Sequence, residues 1–221
     1  MIFHVDTAVH TKSEAMYFGG EPVLKYEINV PEFWSDVQGI NRVNLVYTAD
    51  LKARQDYCRG ELYRAAVQDA ADAIKNGFPV REYEYLKTFE VTCDESCVVS
   101  LYSDTYEFTG GAHGNTVRTS QTWRFPGGQR IAFASLFPRG THYRAALIAR
   151  IVAVISRNPE PYFEDYKKLV AENFSSENFY LTPRGIAVYF QQYEIAPYSS
   201  GIPVFEFTYE ALGATPPRCV R

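Results

Sequence analysis

Long apolar runs are missing from this 221-residue chain. Its most apolar stretch, Ala145 to Ile155, carries Arg150 in the middle and falls short of the 18 or so residues that a membrane-crossing helix needs, so no membrane segment is expected. The first twenty residues lack a basic segment followed by an apolar one, and no secretory signal reads from them. Positive charge is not in excess: 22 Lys and Arg stand against 26 Asp and Glu, a net charge of -4. That balance argues against nucleic acid, whose binding depends on a basic stripe that releases phosphate counterions. A basic partner is easier to accommodate.

Catalytic signatures are absent too. There is no G-x-S-x-G elbow, no H-E-x-x-H pair and no G-x-x-x-x-G-K-[ST] loop, which removes the minimal chemistry of the serine hydrolase, zinc protease and nucleotide readings. Histidines number only four, His4, His10, His113 and His142. A lone His113 makes neither a metal site nor a triad, so no catalytic residue, metal or cofactor is expected. Asp104, Glu107 and Glu194 could supply a carboxylate pair for glycoside chemistry, but a chain with 26 acidic residues offers many such triples. Cysteine is sparse as well: Cys58, Cys93, Cys97 and Cys219. One C-x3-C pair leaves a zinc ion two ligands short. Asp94, Glu95 and Ser96 sit between two strand-like runs and predict a hairpin tip, across which Cys93 and Cys97 would face each other with Cβ atoms about 4.5 to 5.5 Å apart, near bridging distance. In an exported protein a Cys93–Cys97 disulfide is expected, two reduced thiols beside a turn being the alternative. The pairing of Cys58 and Cys219 stays open.

Aromatic residues, by contrast, are plentiful: seventeen Tyr, fifteen Phe and two Trp. They favour strands and half-wet surfaces, where a Tyr ring is buried while its hydroxyl reaches water or a partner. The apolar fraction of 46% and charged fraction of 22% place the chain among ordinary globular proteins rather than disordered ones.

Residues 22–30 alternate with Leu24, Tyr26, Ile28 and Val30 on one side, the period of a half-buried strand, and Pro31 is expected to end it. From Ile40 to Asn76 the pattern is helical, with an apolar stripe of Leu62, Ala65, Ala66, Ala70, Ala73 and Ile74. Strands follow at Tyr83 to Thr92, Val98 to Phe108 and Asn115 to Phe125, an antiparallel meander. After the FPGGQ turn at 125–129 come helices over Tyr143 to Ser156 and Tyr162 to Phe174, then strands at Phe179 to Leu181, Ile186 to Phe190 and Pro203 to Tyr209. Grouped strands and helices give an α+β class: an antiparallel β meander with a long helix, followed by a smaller helix-plus-strand subdomain. The expected divisions are an N-terminal tail (1–20), an N-terminal α+β subdomain (21–125), a C-terminal α+β subdomain (126–212) and a C-terminal tail (213–221).

Two loops stand out. In Thr109-Gly110-Gly111-Ala112-His113-Gly114-Asn115, three glycines in five residues predict at least one positive φ or a close approach to the backbone. The loop is either a tight strand connection held by His113 or a binding site using His113 and Asn115. In Tyr193-Glu194-Ile195-Ala196-Pro197-Tyr198, two tyrosines beside a proline make a rigid contact surface or pack a connection between strands.

These two segments, with Gly201-Ile202-Pro203 and the Ser135-Leu136-Phe137 box, resemble a bacterial extracytoplasmic family. It includes the extracellular domain of the lysozyme-sensing anti-sigma factor RsiV and the accessory domain of the peptidoglycan deacetylase PdaC, and the likeness runs from about Glu21 to Leu212. The resemblance implies an extracytoplasmic, non-catalytic binding or sensing module, without the sigma-binding segment or the deacetylase domain. Two ligands follow from it. One is a lysozyme-type muramidase, met by Tyr193, Glu194, Pro197 and Tyr198, with Glu194 facing a basic rim. The other is peptidoglycan, stacked on Tyr189, Tyr193 and Tyr198. A hydrolase dependent on His113 is a third and weaker expectation.

Overall fold

The computed structural model describes residues 5–219. Its class is α+β, as the grouping of strand and helix patterns predicts. Six strands form one sheet in sequence order: β1 (Asp6–Phe18), β2 (Glu21–Trp34), β3 (Tyr83–Glu95), β4 (Val98–Phe108), β5 (Asn115–Arg124) and β6 (Gln129–Arg130). All neighbours are antiparallel except β2 and β3, which run parallel from Leu24↔Tyr83 to Ile28↔Lys87. A parallel pair needs a long crossover. The helical segment supplies it as α1 (Ile40–Tyr57), a π-helical turn over Cys58–Leu62, and α2 (Tyr63–Lys75).

Three local expectations change. The segment read as an N-terminal tail holds β1, paired with β2 from Asp6↔Trp34 to Phe18↔Glu21 and joined to it through Gly19 and Gly20, both at positive φ. An outermost strand buries little of either face, so β1 shows no alternation. His4 lies outside the described residues, and His10 is on β1. Pro31 does not end β2. The pairing with β3 stops at Ile28, so Pro31 stands where β2 has a neighbour on one side only, a position that tolerates a missing N–H. In the Ala-rich helix the buried positions are Leu62, Ala66 and Ala70, spaced by four, while Ala65 and Ile74 face outward.

The two faces of the large sheet are used differently. On one, Val43, Tyr47 and Leu51 of α1 pack against Tyr26, Ile28, Tyr85 and Leu101, and the Trp123 indole donates to the Tyr47 hydroxyl at 2.8 Å. On the other stands a three-stranded antiparallel sheet of β7 (Phe179–Thr182), β8 (Gly185–Tyr189) and β9 (Val204–Thr208). It has its own core, in which Leu147, Ile151 and Ile155 of α3 (Tyr143–Ile155) and Val170 of α4 (Tyr166–Asn173) meet Leu181, Ile186, Val188 and Phe205. Side-chain hydroxyls join the sheets: Thr92 donates to the Leu181 carbonyl at 2.6 Å, and the Leu181 N–H donates to Ser100 at 2.8 Å. Arg118 pairs with Asp104 through two 2.7 Å hydrogen bonds while its guanidinium lies 3.7 Å from the centre of the Tyr102 ring. The Thr92, Ser100 and Arg118 groups at this junction thus meet the partners that their desolvation demands.

The expected Cys93–Cys97 bridge is not the one formed. Cys97 bonds Cys219, with 5.0 Å between Cα atoms, and Cys93 is a buried free thiol. The hairpin tip is tighter than expected: Glu95 pairs with Val98, so Ser96 and Cys97 alone make the turn, at φ 54° and 60°. Cys93 lies inside the ladder opposite Ser100, next to a bulge, and does not face Cys97. At the tip Cys97 meets the C-terminal segment. That segment, read as a tail, follows a short helix α5 (Tyr209–Leu212) and is also held by the Thr215 N–H, which donates to the Leu136 carbonyl at 2.7 Å. The Cys58 thiol is free and buried, and burial pushes it up to about 12.

Candidate aromatic binding site

The β4–β5 connection and the segment after β8 come from different sheets and meet at one edge of the molecule. β5 lies beyond the reach of β6 over its first half, since β6 pairs only with Trp123 and Arg124. Unpaired strand backbone there would be costly. Glutamine side chains occupy it: Gln191 accepts from the Arg118 N–H at 2.9 Å and donates to the Arg118 carbonyl at 2.7 Å, and Gln192 accepts from the Thr116 N–H at 2.8 Å. These two amides take the place of a strand and fix the second loop against the first.

Beyond the glutamines, Tyr193 takes a positive φ of 65° and turns outward, 51% exposed. Ile195 and Ala196 are buried as a peg in the small core. The Glu194 carboxylate accepts the Gln191 N–H at 2.7 Å, and its backbone carbonyl accepts from Asn173 at 2.9 Å. Burial raises the Glu194 carboxyl above the usual carboxylate range, offset in part by that backbone hydrogen bond. Glu194 is therefore a brace inside the loop rather than a charge on its rim. Pro197 leads into a 3-10 turn that carries Tyr198, and the Ser200 hydroxyl donates to the Pro161 carbonyl at 2.8 Å.

In the glycine loop, Gly110 has φ 79° and its carbonyl accepts from Arg81. Gly114 has ordinary backbone angles, but a Cβ there would overlap the ring of Tyr106; Gly111 has room around it. Each of the two demanding glycines thus answers one of the reasons expected for such a loop, φ at Gly110 and close approach at Gly114. His113 then projects onto the tyrosines. Its Nδ1 lies 2.9 Å from the Gly114 carbonyl, which only accepts, so Nδ1 carries the proton in the neutral ring and Nε2 accepts from the Tyr193 hydroxyl at 3.2 Å. The His113 ring stacks on Tyr198 at 4.1 Å between centroids, with Tyr193 at 6.4 Å from His113 and 5.9 Å from Tyr198. Three rings from two loops form one partly exposed patch.

Other residues expected at the site lie elsewhere. Asn115 is on the helix-side face, across from Glu107 on β4. Tyr189 is 1% exposed, its hydroxyl bonded to Ser120 at 3.1 Å, so the trio Tyr189, Tyr193 and Tyr198 does not assemble into a stacking platform. The carboxylates Asp104, Glu107 and Glu194 are also kept apart. Asp104 is bound to Arg118, Glu107 accepts from Tyr57 at 3.0 Å on the opposite face of the sheet, and Glu194 lies within its loop. Among the described residues no group of three or more His, Cys, Asp or Glu side chains is placed to hold a metal ion, and no helix is long and apolar enough to cross a membrane. Gln191 and Gln192, which brace the candidate site against the backbone of Arg118 and Thr116, are residues that the sequence pattern does not expose, since a polar pair after a strand reads equally well as loop.

Residues 19–116 match the family model described as "Deacetylase PdaC", and residues 134–210 match that described as "Protein of unknown function (DUF3298)". No curated protein matches. Two solved structures share the fold: a DUF3298 family member from Bacteroides fragilis, at TM-score 0.69 and 17% identity over 95% of this chain and 93% of that one, and a DUF3298 family protein from Pseudomonas aeruginosa, at 0.61 and 17% over 96% and 94%. The aromatic patch joins the two matched regions, His113 coming from the first and Tyr193 and Tyr198 from the second. The chain thus combines a PdaC-like segment and a DUF3298-like segment on the fold of DUF3298 proteins.

Proposed function

We propose that this chain is a non-catalytic binding module acting outside the cytoplasm, and that the patch of His113, Tyr193 and Tyr198 is its contact surface for a muramidase of the lysozyme type. The observation that carries this reading is the preorganisation of the patch. His113 and Tyr193 are exposed and Tyr198 is half-buried, yet each ring is held by its loop: Tyr198 by its stack on His113, Tyr193 by its hydroxyl, and the whole second loop by Gln191, Gln192 and the buried Ile195. Rigid aromatic side chains offer large contact area with little entropy left to lose, which is why tyrosine dominates hot spots. The choice of a lysozyme-type partner rests on the resemblance of the YEIAPY and TGGAHG segments to the lysozyme-sensing family. A net charge of -4 would also speed encounter with a basic enzyme. Export is supported by the match to a deacetylase family and by the Cys97–Cys219 disulfide, a bond that persists in oxidising compartments. Titrating hen egg-white lysozyme into the protein by calorimetry is the test. A saturable complex of fixed stoichiometry supports the reading. No heat at about 100 µM, equivalent to about -5.5 kcal/mol, would reject it.

A further inference from the structure

β1 is the outermost strand of the large sheet, with β2 on one side and, among the described residues, no strand on the other. Its far edge presents backbone N–H and C=O groups along a thirteen-residue strand, a template that proteins usually shorten, bulge, cover or interrupt with proline. β1 has little of this protection. It contains no proline. The irregularity of its ladder between Met16 and Tyr17 places the extra residue, Val23, on β2 and leaves β1 itself regular. The chain does not approach along the edge either: Val5, just ahead of the strand, is buried, and its N–H donates to the Asp94 carboxylate of β3 at 3.4 Å. Near the end of the strand the Tyr63 hydroxyl donates to the Tyr17 carbonyl at 2.8 Å, which leaves that oxygen a second lone pair.

The side chains of this edge are arranged symmetrically about Ser13. In an antiparallel pair of identical strands with a two-fold axis at Ser13, Lys12 of each copy stands opposite Glu14 of the other, and Val9 opposite Tyr17. Directly opposite residues share a face, so both kinds of pair come into contact. Lys12 is exposed and has no acidic partner among the described residues. Glu14 meets the Tyr26 hydroxyl at 2.7 Å and Arg59 at 3.3 Å through the same oxygen, Oε2, and its Oε1 is left for a further cation. On the other face of the strand Val9 and Tyr17 are 61% and 58% exposed, apolar surface that the pairing would cover. Moving the axis by one residue sets Lys12 against Lys12 or Glu14 against Glu14, and like charges directly opposite are destabilising. The strand thus specifies one register with itself, which an unrelated extended peptide would not share.

From this we infer that the partner of the β1 edge is a second copy of this chain, and that the two six-stranded sheets join through β1 into one continuous sheet. β1 and β5 lie toward opposite edges of the sheet, so the dimer and the aromatic patch are separate and neither depends on the other. Sedimentation of the full chain between about 10 µM and 1 mM is the test. A monomer–dimer equilibrium is expected. Lys12→Glu and Glu14→Lys each turn both cross-strand ion pairs into like-charge pairs and should weaken the dimer at least about tenfold. An equimolar mixture of the two variants restores opposite charges and should recover dimers. Glu14→Lys also loses the contacts to Tyr26 and Arg59, so a thermal melt of each variant accompanies the measurement. A second reading leaves Glu14 in place: Ser13→Cys sets two thiols opposite each other on the axis and should link into a covalent dimer under mild oxidation, whereas Thr11→Cys, which stands opposite Ala15, should not. Both substitutions fall at exposed positions. Sedimentation of the parent as a monomer at about 1 mM, a Lys12→Glu dimer as tight as that of the parent, or equal cross-linking of Ser13→Cys and Thr11→Cys would each overturn the inference.

Discussion

The rings of His113 and Tyr198 stack with centroids 4.1 Å apart and an interplanar angle of 23°, although one residue follows a strand of the large sheet and the other precedes a strand of the small one. The contact couples two units that each have their own core. A double-mutant cycle with His113→Ala and Tyr198→Ala, read by chemical denaturation, should return a coupling of about 0.5 to 1.5 kcal/mol. Strict additivity would mean that the stack holds neither loop.

The two glycines flanking Ala112 and His113 should separate. Gly114→Val forces the Tyr106 ring aside and should cost about 1 kcal/mol or more, whereas Gly111→Val meets open space at a backbone without positive φ and should stay within about 0.5 kcal/mol of the parent. Thermal melts of both variants decide it. Equal losses would show that the loop is constrained at Gly111 by something other than space.

Reduction should destabilise the protein. The Cys97–Cys219 bond spans a sequence separation of 122 residues, and a closed loop of this length stabilises by up to about 5 kcal/mol in the chain-entropy account, commonly about 2 to 4. Urea unfolding of Cys219→Ser against the parent should show that loss, and peptide mapping without reduction should recover the 97–219 pair. Recovery of a Cys93–Cys97 peptide would contradict the tight turn at Ser96 and Cys97.

Glu194 makes a pH prediction with a definite sign. Burial raises its carboxyl in the folded state, so the folded form holds this proton more tightly than the unfolded one. The stability linked to that proton is present below the unfolded carboxylate range and is lost as pH rises through the folded value. Glu194→Gln keeps an acceptor for the Gln191 N–H without the buried charge. It should match or exceed the parent in stability at pH 7, with the difference closing as pH falls through the carboxylate range. A variant less stable than the parent at pH 7, with a gap that narrows on acidification, would show that the ionised carboxylate is favoured where it sits.

Much of this arrangement is legible in the sequence because it is local. The alternation of Leu24, Tyr26, Ile28 and Val30, the helical run from Ile40 and the glycine loop each have a period or a residue type that only one backbone satisfies well. What is not legible depends on partners far along the chain. β1 has no alternation because, as the outermost strand, it buries little of either face and is held chiefly by its ladder with β2. The tip at Ser96 and Cys97 uses positive φ at residues that seldom adopt it, so Asp94, Glu95 and Ser96 looked the better turn and Cys93 the better partner. Tyr189, in turn, has the same residue type as Tyr193 and Tyr198, yet β8 carries it into the junction between the sheets.

The most direct test of the proposed function is the affinity of hen egg-white lysozyme for three forms of the protein, measured side by side by calorimetry: the parent, Tyr198→Ala and Glu194→Gln. Truncating an aromatic anchor at the centre of a patch commonly costs about 2 kcal/mol, roughly thirtyfold in affinity, while Glu194 is spent inside its own loop on Gln191 and should not matter to the partner. The account predicts a thirtyfold loss for Tyr198→Ala and an affinity within about twofold of the parent for Glu194→Gln. Binding by the parent that neither substitution alters would keep the partner and contradict the site; no binding by the parent would contradict the function itself.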